Sequence, residues 1–143
     1  TLKAAIKCPA EYHEKLVHWF ETLPIRQEPF NVELKDFGAF HNKRNPVIFI
    51  KPSNHPALRS IQKQIIESFK NLMPDNVHPV DEKFNPHITI AYRDLTPENF
   101  QLACEEYKLK HFSDTFEVNA IHLLQHDTRQ WRLIATHDLT ATV

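Results

Sequence analysis

Glycine is almost missing from this chain: Gly38 stands alone in 143 residues, against ten prolines. With one glycine, neither a P-loop nor a dinucleotide-binding fingerprint can be written. Turns must be built from Pro, Asn and Asp instead. Cysteine is nearly as scarce. Cys8 and Cys104 offer no disulfide framework, and a reduced, cytoplasmic setting is expected. Long hydrophobic runs are absent too. The longest uninterrupted one is Val47 to Ile50, so no membrane-spanning segment is expected. No charge sign dominates: the net charge is −1. That excludes a dedicated nucleic-acid coat, which would be strongly basic, but not an enzyme handling one phosphate at an RNA end.

Metal-site patterns are also missing. No His-Glu-x-x-His occurs among the ten histidines. His13 and His18 are five apart, the wrong spacing for one helix face. His122 and His126 could meet near a hairpin, but no carboxylate or cysteine is placed to complete a site. No metal and no cofactor are expected.

What is present reads as a globular α+β chain, 41% hydrophobic and 24% charged. Residues 1–8 alternate loosely, as a strand does. Pro9 opens a helix whose stripe is Leu16, Val17, Phe20 and Leu23, and Pro24 ends it. Phe30, Val32 and Leu34 alternate with polar residues in a half-buried strand that runs toward Phe37. Val47 to Ile50 is apolar on both faces, as in a central strand. Ser53 or Asn54 is expected to cap a second helix, buried through Leu58, Ile61, Ile65, Phe69 and Leu72. Residues 73–83 read as a loop and 87–92 as a strand. Thr96-Pro97 starts a third helix, with Phe100, Ala103, Cys104 and Tyr107 inward. Residues 115–125 and 130–136 read as two strands joined by a hairpin. Trp131 and Leu133 are expected in its core. His122 fits either a core or a groove position.

The strongest signal is Phe84-Asn85-Pro86-His87-Ile88-Thr89-Ile90-Ala91-Tyr92. On a strand His87 and Thr89 share one face, about 7 Å apart, while Ile88, Ile90 and Tyr92 point the other way, into a core. An imidazole that titrates near neutral pH and a hydroxyl that can bond a phosphate oxygen are thus presented together.

This run resembles one of the paired His-x-Thr/Ser signatures of the 2H phosphoesterases. That superfamily includes the bacterial 2'-5' RNA ligases and RNA 2',3'-cyclic phosphodiesterases. Thr1-Leu2-Lys3 similarly looks like the tail of the first signature, without its histidine. The resemblance implies an α+β fold: a two-lobed, duplicated domain over residues 1–143 with antiparallel sheets lining a central groove. It further implies that an N-terminal strand, a helix and the first histidine are missing from the chain as given.

The same resemblance implies a metal-independent phosphoesterase with catalytic His87, Thr89 and Thr1. It would open 2',3'-cyclic phosphates of RNA ends or small cyclic nucleotides, or form 2'-5' links in reverse. Arg93 would bind phosphate, and Phe37 or Phe40 would stack a nucleobase. The alternative is an inactive module that binds a nucleotide or an RNA end. No membrane partner is expected, and the chain is expected to be a monomer.

Overall fold

The computed structural model describes residues 1–140. Four helices and six strands organise them: α1 (His13–Glu21), β1 (Phe30–Phe40), β2 (Val47–Pro52), α2 (Pro56–Leu72), α3 (Pro79–Glu82), β3 (Ile88–Ala91), α4 (Pro97–Tyr107), β4 (Ser113–Val118), β5 (Ala120–His126) and β6 (Trp131–Asp138). One sheet has the order β3-β2-β1-β4, and β5 pairs with β6 in a second. The β1–β2, β2–β3 and β5–β6 pairs are antiparallel. The fold is α+β, as expected, with β2 in the interior of its sheet. The chain divides into two compact units. Unit 1 holds residues Thr1–Phe30, His55–Phe84 and those from Glu117 on; unit 2 holds Asn31–Asn54 and Asn85–Phe116.

Unit 1 is a helix-on-hairpin core. Phe20, Leu23 and Ile25 from α1 and its exit meet Ile61 and Ile65 of α2 and Ile121 and Ala135 of the hairpin. The α2 stripe falls where 3.6-residue periodicity put it, with Phe69 buried as well. Its cap is His55, not Ser53 or Asn54: the His55 ring nitrogen accepts the Ala57 N–H at 3.2 Å. Pro56 explains the shift. A proline excludes helical geometry from the residue before it and fits the first helical turn itself.

Residues 1–8 form no strand. The Ala4 N–H, which a ladder would need, is donated to the Asp81 carboxylate at 2.7 Å. Lys3 reaches the same carboxylate at 3.0 Å, and the His78 N–H at 2.9 Å. Asp81 is 4% exposed and its side chain is fully partnered. The loop expected over residues 73–83 therefore contains the short helix α3, which carries this buried acid.

The hairpin departs from expectation as well. The single strand read over residues 115–125 breaks at Asn119, whose carbonyl accepts the Leu139 N–H at 2.8 Å. Its two halves, β4 and β5, join different sheets. Trp131 and Leu133 are 55% and 57% exposed, not core. The register shifts between Leu123↔Ala135 and Leu124↔Leu133. One extra residue in β6 reverses the alternation, so Ala135 faces inward and Leu133 outward.

Asp81 yields a stability prediction. Burial raises its pKa, but hydrogen bonds from the Ala4 and His78 N–H groups and the Lys3 ammonium outweigh that and hold it below the ordinary carboxylate value. A depressed folded pKa stabilises the fold above the unfolded value, and that contribution fades as pH falls below about 4. Asp81→Asn should cost about 3 kcal/mol near neutral pH. Urea melts of both proteins should converge as pH drops through that window. A constant gap at every pH would refute the assignment.

Candidate functional site

Unit 2 presents the His87 motif on an edge strand. The ladder pairs Phe49 with Thr89 and with Gly38. Side chains that alternate with these fall on the same face: His87, Phe40 and Lys51. The His87 ring stands edge-on against Phe40 (centroids 5.0 Å, interplanar 86°) and Phe49 (5.6 Å, 61°). Phe40 and Phe49 lie 4.4 Å apart. His87 is half-buried and Thr89 is exposed.

One contact sets the histidine's chemistry. His87 Nδ1 lies 2.8 Å from the Asn85 carbonyl oxygen. A carbonyl can only accept, so Nδ1 carries the hydrogen and donates it. In the neutral ring the lone pair is then on Nε2. The protonated ring can give up its Nε2 hydrogen without breaking that bond.

The one glycine of the chain belongs to the same face. A Cβ on Gly38 would sit 2.6 Å from Phe49 Cε2 and Cζ. The Cε2–Cζ edge of the Phe49 ring thus packs against Gly38 where a side chain would stand, and the same ring meets His87. Lys51 Cγ is 3.4 Å from the same point. Continuing the β2–β3 register sets Lys51 opposite His87. Sequence reading overlooked this exposed cation, although the alternation Val47, Phe49, Lys51 carried the signal.

The remaining expected residues fall elsewhere. Phe37 occupies the opposite face, 4.7 Å from Tyr107 and 5.9 Å from Phe112, so the structure does not bring it to His87. Ile88, Ile90 and Tyr92 alternate away from His87 as expected, but they are 39%, 41% and 42% exposed rather than core. β3 is an edge strand, and α4 packs on β1 and β2 through Phe37 and its own residues. Arg93 lies past the end of β3 with its guanidinium 5.5 Å from the Tyr92 ring centroid. Its φ of 62° puts a non-glycine residue in the left-handed region, a strain often met beside functional segments. Thr1 belongs to unit 1 and is exposed.

In unit 1, His122 is exposed rather than core, and its Nδ1 lies 3.1 Å from the Thr136 hydroxyl, its cross-strand partner. Among the described residues no three His, Cys, Asp or Glu side chains gather as a metal site would need. No helix among them is long and apolar enough to cross a membrane.

The chain is thus an α+β protein with a His-x-Thr pair on an edge strand and the imidazole hydrogen-bonded to a main-chain carbonyl. Comparison with known proteins places it more closely. Residues 4–130 match the model of the 2'-5' RNA ligase superfamily, and the chain belongs to that family. It is 26% identical over 140 residues to a Bacillus cytotoxicus protein named a "Putative phosphoesterase", spanning 97% of this chain and 77% of that protein. The crystal structure of TT0787 from Thermus thermophilus superposes with a TM-score of 0.71. The match covers 94% of this chain and 74% of that one at 18% identity, a likeness of fold.

The Gly38–Phe49 contact is testable. Phe49 is 7% exposed and wedged against Phe40 and His87, so it has little room to yield. Gly38→Ala should cost about 1–3 kcal/mol through overpacking. It should also move the His87 ring-proton NMR shifts, because the neighbouring aromatic ring is displaced. Unchanged shifts together with unchanged melting would refute the contact.

Proposed function

We propose that this protein is a phosphoesterase that opens 2',3'-cyclic phosphates of RNA ends or nucleotides, with His87 as a proton-transfer group. The observation that carries the reading is the His87 Nδ1 to Asn85 carbonyl contact, 2.8 Å. It leaves Nε2 as the working nitrogen, on the face that also holds Thr89 and Lys51.

The chemistry follows from those groups. Water attacks phosphorus and one bridging P–O bond of the ring breaks, so a proton must leave the water and another must reach the ribose oxygen. Neutral His87 takes the first through Nε2, or protonated His87 delivers the second through Nε2. Either transfer by a positioned imidazole is worth about 10²–10⁴-fold. The Thr89 hydroxyl donates to a non-bridging oxygen as negative charge builds there. Lys51 supplies a cation for the same oxygens. When a 5'-hydroxyl replaces water as nucleophile, the same ring opening breaks the P–O3' bond, protonates the 3'-oxygen and forms a 2'-5' link. Family membership supports phosphoesterase or ligase chemistry of this kind. Of the expected pair, Phe40, whose ring meets His87 edge-on, is the one we assign to stack a base.

The direct test follows 2',3'-cyclic nucleotide monophosphates by phosphorus NMR, in EDTA, with the intact protein. One monophosphate isomer should form. His87→Ala should slow ring opening by about 10²–10⁴-fold, and Thr89→Val by about 10²-fold. A protein that binds the substrate but leaves it unopened would replace this reading with the inactive binding module.

Lys51 makes a separate prediction. Lys51→Gln should raise KM more than it lowers kcat, because a flexible exposed ammonium attracts the phosphate charge already present in the ground state. A loss confined to kcat would mean that Lys51 acts in the transition state alone.

A further inference from the structure

Unit 2 carries a cleft on the sheet face opposite His87. Its volume is about 620 Å³, within the range of pockets that enclose small organic ligands. Phe37, Ala39 and Tyr107 give it partly exposed apolar surface, Ile48 and Phe100 of its lining are buried, and Cys104 of α4 stands in one wall. The face assignment follows from the ladder: Phe37 pairs with Ile50, one residue away from the Gly38–Phe49 pair that faces His87.

The rim is charged. Lys43, from the β1–β2 loop, and Lys108, just past α4, both line the cleft and are both exposed. Among the described residues neither ammonium takes part in an ion pair. Glu105 is the one carboxylate of the lining, so two cations stand against one anion. His41 adds an imidazole, edge-on to Phe100 at 5.1 Å.

We propose that this cleft binds a small planar aromatic anion, with the ring against Phe37, Ala39 and Tyr107 and the anionic group at the Lys43 and Lys108 rim. The apolar floor favours a flat ring by area burial. The excess positive charge of the rim selects an anion over a neutral ring of the same shape. The site lies apart from the His87 face, and the inference does not rest on the phosphoesterase reading.

Cys104 offers a built-in reporter. It lines the cleft and is half-buried, and burial pushes its thiol pKa up, with Lys108 pulling it down and Glu105 raising it further. The chain has two cysteines, so a Cys8→Ser protein reports on Cys104 alone. The experiment measures the rate at which iodoacetamide alkylates Cys104 at alkaline pH, by intact-mass spectrometry. Two probes are titrated: 2-naphthoate, and the uncharged 2-naphthalenemethanol.

The expected result is saturable protection by 2-naphthoate, with the neutral alcohol needing about tenfold more for the same effect. The double substitution Lys43→Gln, Lys108→Gln should abolish that preference and leave protection by the alcohol unchanged. No protection by either probe overturns the cleft as a binding site. Equal protection by both overturns the choice of an anion. Because this comparison is made in the protein with both lysines intact, it decides even if the double variant folds poorly. A preference that survives loss of both lysines overturns their role.

Discussion

The candidate site depends on a ring edge packed against a glycine. Gly38 is the only residue of β1 without a side chain, and Phe49 fills the space a Cβ would take. From there the Phe49 ring meets both Phe40 and His87. An imidazole on an edge strand would otherwise be free to swing into solvent. The aromatic pair packs against its ring, and the Asn85 carbonyl sets its tautomer. A chain that spends its single glycine in the middle of a strand, where glycine is unfavourable, gains a close approach that no other residue permits.

The same scarcity shapes the turns. Left-handed backbone, usually given to glycine, is carried here by Asp36, Arg93 and Thr128. Two of the three are secured by carboxylates. The Asp36 side chain accepts the Phe112 N–H at 3.2 Å where β1 bulges. Asp127 accepts the N–H groups of Arg129 and Gln130 around Thr128, and pairs with Arg132. Aspartate thus performs in these turns what glycine performs elsewhere, by hydrogen-bonding the backbone rather than by freeing it.

A third aspartate does comparable work at the start of the chain. Asp81 takes the Ala4 N–H and the Lys3 ammonium, and it is the most deeply buried acid of the molecule's described residues. The first eight residues alternate as a strand would, but their backbone is satisfied by a side chain 77 positions away. Alternation reports which positions are apolar, and it cannot report which partner takes a given N–H.

Local rules made much of the rest legible. The helix stripes, the Thr96 cap, the central place of β2 and the His-x-Thr strand follow from periodicity, capping chemistry and a run of nine residues, all read within one segment. So does the family. What escaped depends on neighbours distant in sequence. Ile88 and Ile90 have a core strand's pattern, yet they are exposed because β3 lies at a sheet edge. Trp131 and Leu133 were turned outward by a single extra residue in β6. Phe37 and Phe40 look equivalent along the chain, and the pleat sends them to opposite faces, one to Tyr107 and one to His87. The sequence alone determined the main helices, the strands β1 to β3 and which residues can move a proton, because those properties are local. Only the tertiary structure decided which faces are covered, that Lys51 stands on the histidine's face, and which His87 nitrogen is free, because each depends on groups brought together by folding.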